Sequence, residues 1–380
     1  SYQTMESLGT ANYPLNGTLT SGFSGQTYKG PLNTSLRWET TDQFNVGLDF
    51  GFWKNRLNFS ANYYYKKTKD LLQNVSIPLS TGYSTMWTNF GHVTNKGFEF
   101  TANVVAIDNK DWGLNFDGNI SFNQNRIGGL NADQYATQLW YGANEVFLQR
   151  NGLPIGTIYG YVEDGFYDNI AEVRADPIYS KVSKEEAQRM IGEIKYVDRN
   201  GDNQITTEDR AVIGDTNPDF IYGLNANFRW KKLSLGLFFQ GSQGNDIFNG
   251  NLTMIGMNSI GNVTREAYEN RWTPENAANA KWPRITTAMT RDMKLSDRYV
   301  EDGSYFRLKT INLSYNFGSV CKGITDLSVF GTITNVFTLT NYSWFDPDVN
   351  AFGSDASRRG VDIFSYPNSR TYTIGFKLTL

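Results

Sequence analysis

Apolar and polar residues alternate with a period of two over long stretches of this chain, the mark of strands with one face in an apolar medium and the other in water. Between Phe220 and Trp230, the residues Phe220, Tyr222, Leu224, Ala226, Phe228 and Trp230 are apolar, while Gly223, Asn225, Asn227 and Arg229 intervene. Phe44, Val46, Leu48, Phe50 and Phe52 repeat the pattern, as do Leu57 to Tyr65, Phe98 to Val104 and Trp112 to Phe122. It returns in Leu233 to Phe239, Ile311 to Phe317, Leu327 to Ile333 and Tyr372 to Leu380, which makes nine strands.

The connections alternate in length. Residues 53–56, 108–111, 231–232 and 318–323 are short turns, whereas about 68–96, 124–218, 241–304 and 338–370 are long. A compact soluble domain has little use for such loops. Short turns at one end and long loops at the other are the plan of an outer-membrane barrel. Trp53, Trp112, Trp230 and Phe317 sit at the short-turn end, where an interfacial aromatic girdle belongs. The expected fold is all-β: a transmembrane antiparallel β-barrel with residues 1–40 as an extracellular loop and 41–380 as barrel wall and loops. Because single-chain bacterial barrels close with an even number of strands, nine strands are expected to be the C-terminal part of a larger barrel. In the segment from Tyr305 to Phe317 the phase slips near Thr310. Arg307 and Lys309 then face anionic lipid head groups above the hydrocarbon, unless a bulge absorbs the slip.

Composition removes other classes. Among 380 residues, 35 Lys and Arg face 38 Asp and Glu, with no long basic run, so no nucleic-acid surface is expected. One cysteine, Cys321, and one histidine, His92, leave neither a disulfide framework nor a thiol or imidazole metal site. There is no run of 18 apolar residues, so no helix is expected to span a bilayer. GxSxG, GxxxxGK[ST], HExxH and GxGxxG are all missing, and His92 beside Gly91 reads as a rim hydrogen-bonder, so the chain is not expected to be an enzyme.

One local motif points to a ligand. Asp198, Asn200, Asp202, Gln204 and Asp209 occupy positions 1, 3, 5, 7 and 12 of a calcium-type loop, the spacing that gathers six or seven oxygen ligands. Position 6 is Asn203, which tolerates the left-handed backbone, and position 12 is a shorter Asp. The reading is a structural Ca²⁺ site; a metal-free cluster of Asx turns is the alternative. Ser183 with Glu186 reads as a capping box for a short helix, and Thr264 to Trp272 as a second. The loop aromatics Tyr83, Trp87, Trp140, Tyr141, Trp344 and Phe345 are candidates to stack on sugars or grip peptide side chains, or simply to pack the loops.

Several segments together resemble one family, the SusC/RagA-like TonB-dependent outer-membrane transporters of Bacteroidetes. They are LRWETTDQFNVGLDFGF from Leu36 to Phe52, YYYKKTKDLL from Tyr63, NKGFE from Asn95, GLPIG from Gly152 and Tyr159 to Tyr161. The calcium-type loop with Ile213 to Asp215 and Asn217 to Phe220, then NRWTPE from Asn270 and YFRLK from Tyr305, also match. The resemblance implies the last nine strands of a roughly 22-stranded barrel. It further implies import of oligosaccharides or peptides under a SusD-like lipoprotein lid, with energy reaching a plug from TonB-ExbB-ExbD through an N-terminal part not contained in this sequence. Outer-membrane lipid is the implied surround. The rival reading is a secreted Ca²⁺-dependent carbohydrate-binding or adhesive β-protein, in which the apolar rows would pack in a dry interior.

Overall fold

The computed structural model describes residues 9–15, 18–24, 33–78, 80, 85–136, 146–255, 262–286 and 294–379. Its main feature is a nine-stranded antiparallel sheet. The strands are Thr40–Phe52 (β1), Leu57–Lys69 (β2), His92–Asp108 (β3), Trp112–Gly128 (β4), Phe220–Trp230 (β5), Leu233–Gln243 (β6), Tyr305–Gly318 (β7), Asp326–Thr340 (β8) and Thr371–Thr379 (β9). Each pairs with its neighbours in sequence, so the sheet is an uninterrupted meander. No helix among the described residues is long and apolar enough to cross a membrane.

Register carries the alternation from strand to strand. Leu48 stands opposite Ala61, Ala61 opposite Phe100, Phe100 opposite Ile120 and Ile120 opposite Tyr222, all on one face. Further on, Leu237 faces Ile311, Ile311 faces Ile333 and Ile333 faces Tyr372. These rows are open: Phe44 is 59% exposed and Ile374 86%. A continuous apolar surface of this size is not left in water by a monomeric soluble protein. The rival reading required these side chains to be dry, and they are among the most exposed in the molecule.

The opposite face is hydrogen-bonded. Asn103 Nδ2 donates to Asp117 Oδ1 at 2.9 Å, Tyr64 Oη to Asn123 Oδ1 at 2.7 Å and Asn312 Nδ2 to Thr332 Oγ1 at 3.0 Å. Amides and hydroxyls bonded across strands, with lone pairs left for water, suit the wall of an aqueous lumen. Gly97 is required here because the Tyr64 ring crosses it: a Cβ would lie 2.1 Å from the Phe122 carbonyl oxygen and 2.6 Å from Tyr64 Oη.

At the short-turn end, Trp112 and Trp230 stack with centroids 5.8 Å apart, and Tyr315 meets Phe317 edge-on at 4.8 Å. Cations tie adjacent turns together: Arg56 Nη2 donates to the Ala106 carbonyl at 2.7 Å and Lys232 Nζ to that of Phe317 at 2.8 Å. At the other end the strands overrun the expected boundaries. β3 begins at His92 and β4 continues to Gly128, because pairing persists after the apolar row has ended. Residues 9–15 and 18–24, expected as part of a loop, form a hairpin.

The phase slip in β7 resolves as a bulge. Register shifts between Leu308 and Thr310, so Lys309 has no partner in either ladder. Arg307 pairs with Gln240 and Thr338 on the inner face and is fully buried. The extra residue flips parity, and the head-group position expected for Arg307 is not found.

Candidate functional site

The dry interior of the molecule lies in the long connections. Val146, Phe147 and Ile158 from 129–219 pack with Phe248 and Tyr299 from 244–304 and with Val361 from 341–370. Each of these is at most 3% exposed. A wall that gives its apolar rows to lipid has none left for a core, so the loops supply their own. Short strands bind them further: Asp246–Asn249 pairs antiparallel with Val300–Asp302 and parallel with Val361–Asp362.

An open cleft of about 610 Å³ sits in this layer, bordered by Glu163, Glu266, Trp282, Arg298 and Glu301. Arg298 and Glu163 form a nearly buried ion pair, and Ser296 Oγ also donates to Glu163. The Arg298 guanidinium lies 5.4 Å from the Trp282 ring centroid and 5.5 Å from that of Phe166, a stacking distance. Trp282 Nε1 donates to Glu266 Oε2 at 2.6 Å. Glu301 accepts from Asn249 Nδ2 at 2.7 Å and from the Ser343 N–H at 2.8 Å, which joins two loops through one carboxylate. Burial, then a hydrogen bond to Asp362, pushes the Tyr342 hydroxyl well above its ordinary value. These carboxylates, amides and flat rings can bond a polar solute and stack on it.

The calcium-type loop has the backbone expected of it. Asn203 is left-handed, with φ at +63°. Asp198 accepts from the N–H groups of Gly201 at 2.7 Å and Asn203 at 2.8 Å, and Asp202 Oδ1 accepts from the Gln204 N–H at 2.8 Å. Asp209 caps the short helix Thr207–Asp209 and accepts from the N–H groups of Thr206 at 2.7 Å and Arg199 at 2.9 Å. Burial raises its carboxyl pKa, but the backbone donors of Thr206, Arg199 and Asn200 outweigh that and hold it below the ordinary value. Among the described residues, no group of three or more His, Cys, Asp or Glu side chains is gathered as a ready metal cage.

Of the loop aromatics, Trp344 and Phe345 meet edge-on at 5.2 Å, with Phe345 65% exposed. Trp87 is half-buried in the small sheet Leu72–Ser76 with Thr85–Asn89, where its carbonyl accepts from Asn33 Nδ2. Tyr83, Trp140 and Tyr141 lie outside the described residues. His92 lies across from Gly128 at the start of β3.

Residues 7–336 match the family model described as TonB dependent receptor-like, beta-barrel. The chain belongs to that family. It is an outer-membrane β-barrel protein. TonB-dependent receptor P26 of Formosa agariphila is 33% identical over the whole of this chain, and receptor P3 of the same organism is 35% identical over 91% of it. TonB-dependent receptor SusC of Bacteroides thetaiotaomicron is 27% identical over 97%. The chain spans 38% of P26 and 34% of both P3 and SusC. The structure of the RagAB peptide importer in its open-open state superposes with a TM-score of 0.75 at 22% identity, over all of this chain and 38% of that one. This last likeness is one of fold. The named relatives are receptors rather than enzymes, in agreement with the sequence reading.

Within this receptor barrel, sequence reasoning missed the cleft and its ion pair. Glu163, Trp282 and Arg298 are scattered over two loops and share no spacing or periodicity. Both expected helices form: Lys184–Met190 starts from Ser183, whose Oγ accepts from the Glu186 N–H, and Arg265–Glu269, which stops short of the expected Trp272, starts from Thr264. A third, Ile170–Ala175, is capped by Asn169 and was not expected.

Proposed function

We propose that this chain supplies wall and external loops to an importer of oligosaccharides or peptides. The importer works beneath a SusD-like lipoprotein lid and draws its energy from TonB-ExbB-ExbD through a plug. One observation carries the reading: a hydrogen-bonded inner face, an apolar outer face and a folded loop layer with a polar cleft stand in sequence along the same strands. The wall separates lipid from water, and the loops offer carboxylates, amides and rings to an arriving oligomer. Glu163, Arg298 and Trp282 are the side chains proposed to meet it, together with Phe345 and the other loop aromatics. The name of the RagAB neighbour describes a peptide importer, which supports the oligomer class without choosing between peptide and glycan here.

The same proposal gives Asp198, Asn200, Asp202, the Gln204 carbonyl and Asp209 a bound Ca²⁺. Asp198 and Asp202 keep lone pairs beyond those used by the loop N–H groups, which is the donor type a hard cation takes, whereas Asp209 already accepts from Arg199, Asn200 and Thr206 and would exchange such bonds for the ion. A bound Ca²⁺ would neutralise the like-charged carboxylates and brace the 129–219 loop.

The test is recovery from the native outer membrane. A tag on this chain in the complete receptor is expected to bring down a surface lipoprotein, together with an oligosaccharide or peptide identifiable by mass spectrometry. An intact barrel that brings neither contradicts the proposal.

A further inference from the structure

On the outer face of β2, β3 and β4, three successive cross-strand rows change chemistry toward the long-loop end. Tyr63, Phe98 and Phe122 form the first row, with the Tyr63 and Phe98 ring centroids 5.1 Å apart. Next come Tyr65, Lys96 and Gln124, and then Lys67, Thr94 and Arg126. All nine positions share the parity of the lipid-facing apolar residues. Lys69, one row higher, is taken up by Asp42 at 2.5 Å. Lys67, Lys96 and Arg126 form no ion pair with any described residue. Asp42, which bonds Lys69, stands opposite Lys67 in the register, so Lys67, Lys69, Lys96 and Arg126 share one carboxylate above an aromatic surface that faces hydrocarbon.

A cavity of about 500 Å³ opens at this step, with Tyr63, Phe98 and Phe122 on its apolar side and Lys96 and Arg126 on its charged side. It exists because β5 pairs with β4 only as far as Ser121, so the upper end of β4 loses a sheet neighbour; there Ile127 bonds to Leu153 instead. Two carboxylates also border the cavity: Asp215, whose Oδ1 accepts from the Asn217 N–H and Nδ2, and Asp219.

We propose that this step is a seat for a phosphate-bearing lipid of the surrounding leaflet. Its phosphate lies among Lys67, Lys96 and Arg126, and its acyl chains run down Tyr63, Phe98 and Phe122. Long cationic side chains at a membrane rim reach the head-group layer while their stems stay on apolar surface. The choice of a lipid over a soluble anion rests on the apolar row continuing from the cations into the hydrocarbon zone. The three cations and the three rings share the outer-face parity, while Gly97, Asn123 and Asn125 of the inner parity also border the cavity.

The test uses the complete receptor in neutral detergent and a fluorescent lipid with a phosphate head group. An uncharged analogue and inorganic phosphate serve as further probes. Removing each charge should weaken the charged lipid about fivefold, so K96Q shows a single step and K67Q/K96Q/R126Q a loss on the order of a hundredfold. Lys54→Gln with Lys110→Gln, at the short-turn end, should leave binding unchanged, and inorganic phosphate should not displace the lipid. Equal binding by wild type and K96Q overturns the proposal, as does displacement by inorganic phosphate, which would mark a simple anion site.

Discussion

Arg307 and Asp346 meet in a 2.5 Å ion pair where the inner face of β7 passes beneath residues 341–370. Arg307 Nε also donates to Thr338 Oγ1 at 2.9 Å, and Asn368 Nδ2 donates to the second oxygen of Asp346 at 2.6 Å. One carboxylate thus joins the strand to the far end of the loop. Arg307 Nη1 makes no hydrogen bond and has only Asp348, at 3.8 Å, as a further charge partner.

Asp346→Ala strands a buried guanidinium, so a loss of about 3 to 5 kcal/mol is expected at this joint. Limited proteolysis should then cut within 341–370 while the barrel stays folded. Wild-type resistance in the variant would show that the pair does not hold the loop.

The bulge at Lys309 shows where sequence reading stops. Alternation made all nine strands legible, since period-two patterning is local and needs no knowledge of partners. An inserted residue flips parity, and the sequence alone does not say whether Arg307 faces lipid or loop; only pairing with Gln240 and Thr338 decides it. The loop core was hidden for a different reason. Val146, Phe248 and Val361 come from three connections with no shared periodicity, and their meeting is set by tertiary contact. The outer-face cations became a cluster only once Lys67, Thr94 and Arg126 were placed in one row.

Asp198→Ala with Asp202→Ala, or removal of Ca²⁺ by a chelator, should expose the 129–219 loop to protease and leave the barrel inserted. Chelation that changes nothing in the wild type removes the cation from the account.

Asp209 gives the same loop an acid limit. Its carboxyl pKa is lower folded than unfolded, so its contribution is complete above the ordinary carboxylate value near 4 and is lost as pH falls through the folded value. Hydrogen-exchange protection of the Arg199 and Thr206 amides, corrected for intrinsic rates, should hold from neutral pH to about 4. It should then collapse on further acidification. Protection lost at higher pH would assign it to another group.

Gly97→Ala pushes a methyl group against the Phe122 carbonyl and the Tyr64 hydroxyl, so a cost of about 1 to 3 kcal/mol is expected. The barrel's heat-dependent gel shift should move to lower temperature. In the Tyr64→Ala background the part of the penalty due to the ring should disappear; an unchanged penalty would place all of it on the backbone contact.

The central claim is that Phe and Leu rows face hydrocarbon while Asn and Ser rows face water. The direct measurement is nitroxide scanning in the Cys321→Ser background, with single cysteines from Ile221 to Arg229 in the complete, membrane-inserted protein. Oxygen accessibility should peak at Tyr222, Leu224, Ala226 and Phe228. Accessibility to a water-soluble nickel chelate should peak at Gly223, Asn225 and Asn227. Peaks in the opposite phase, or none, would contradict the account.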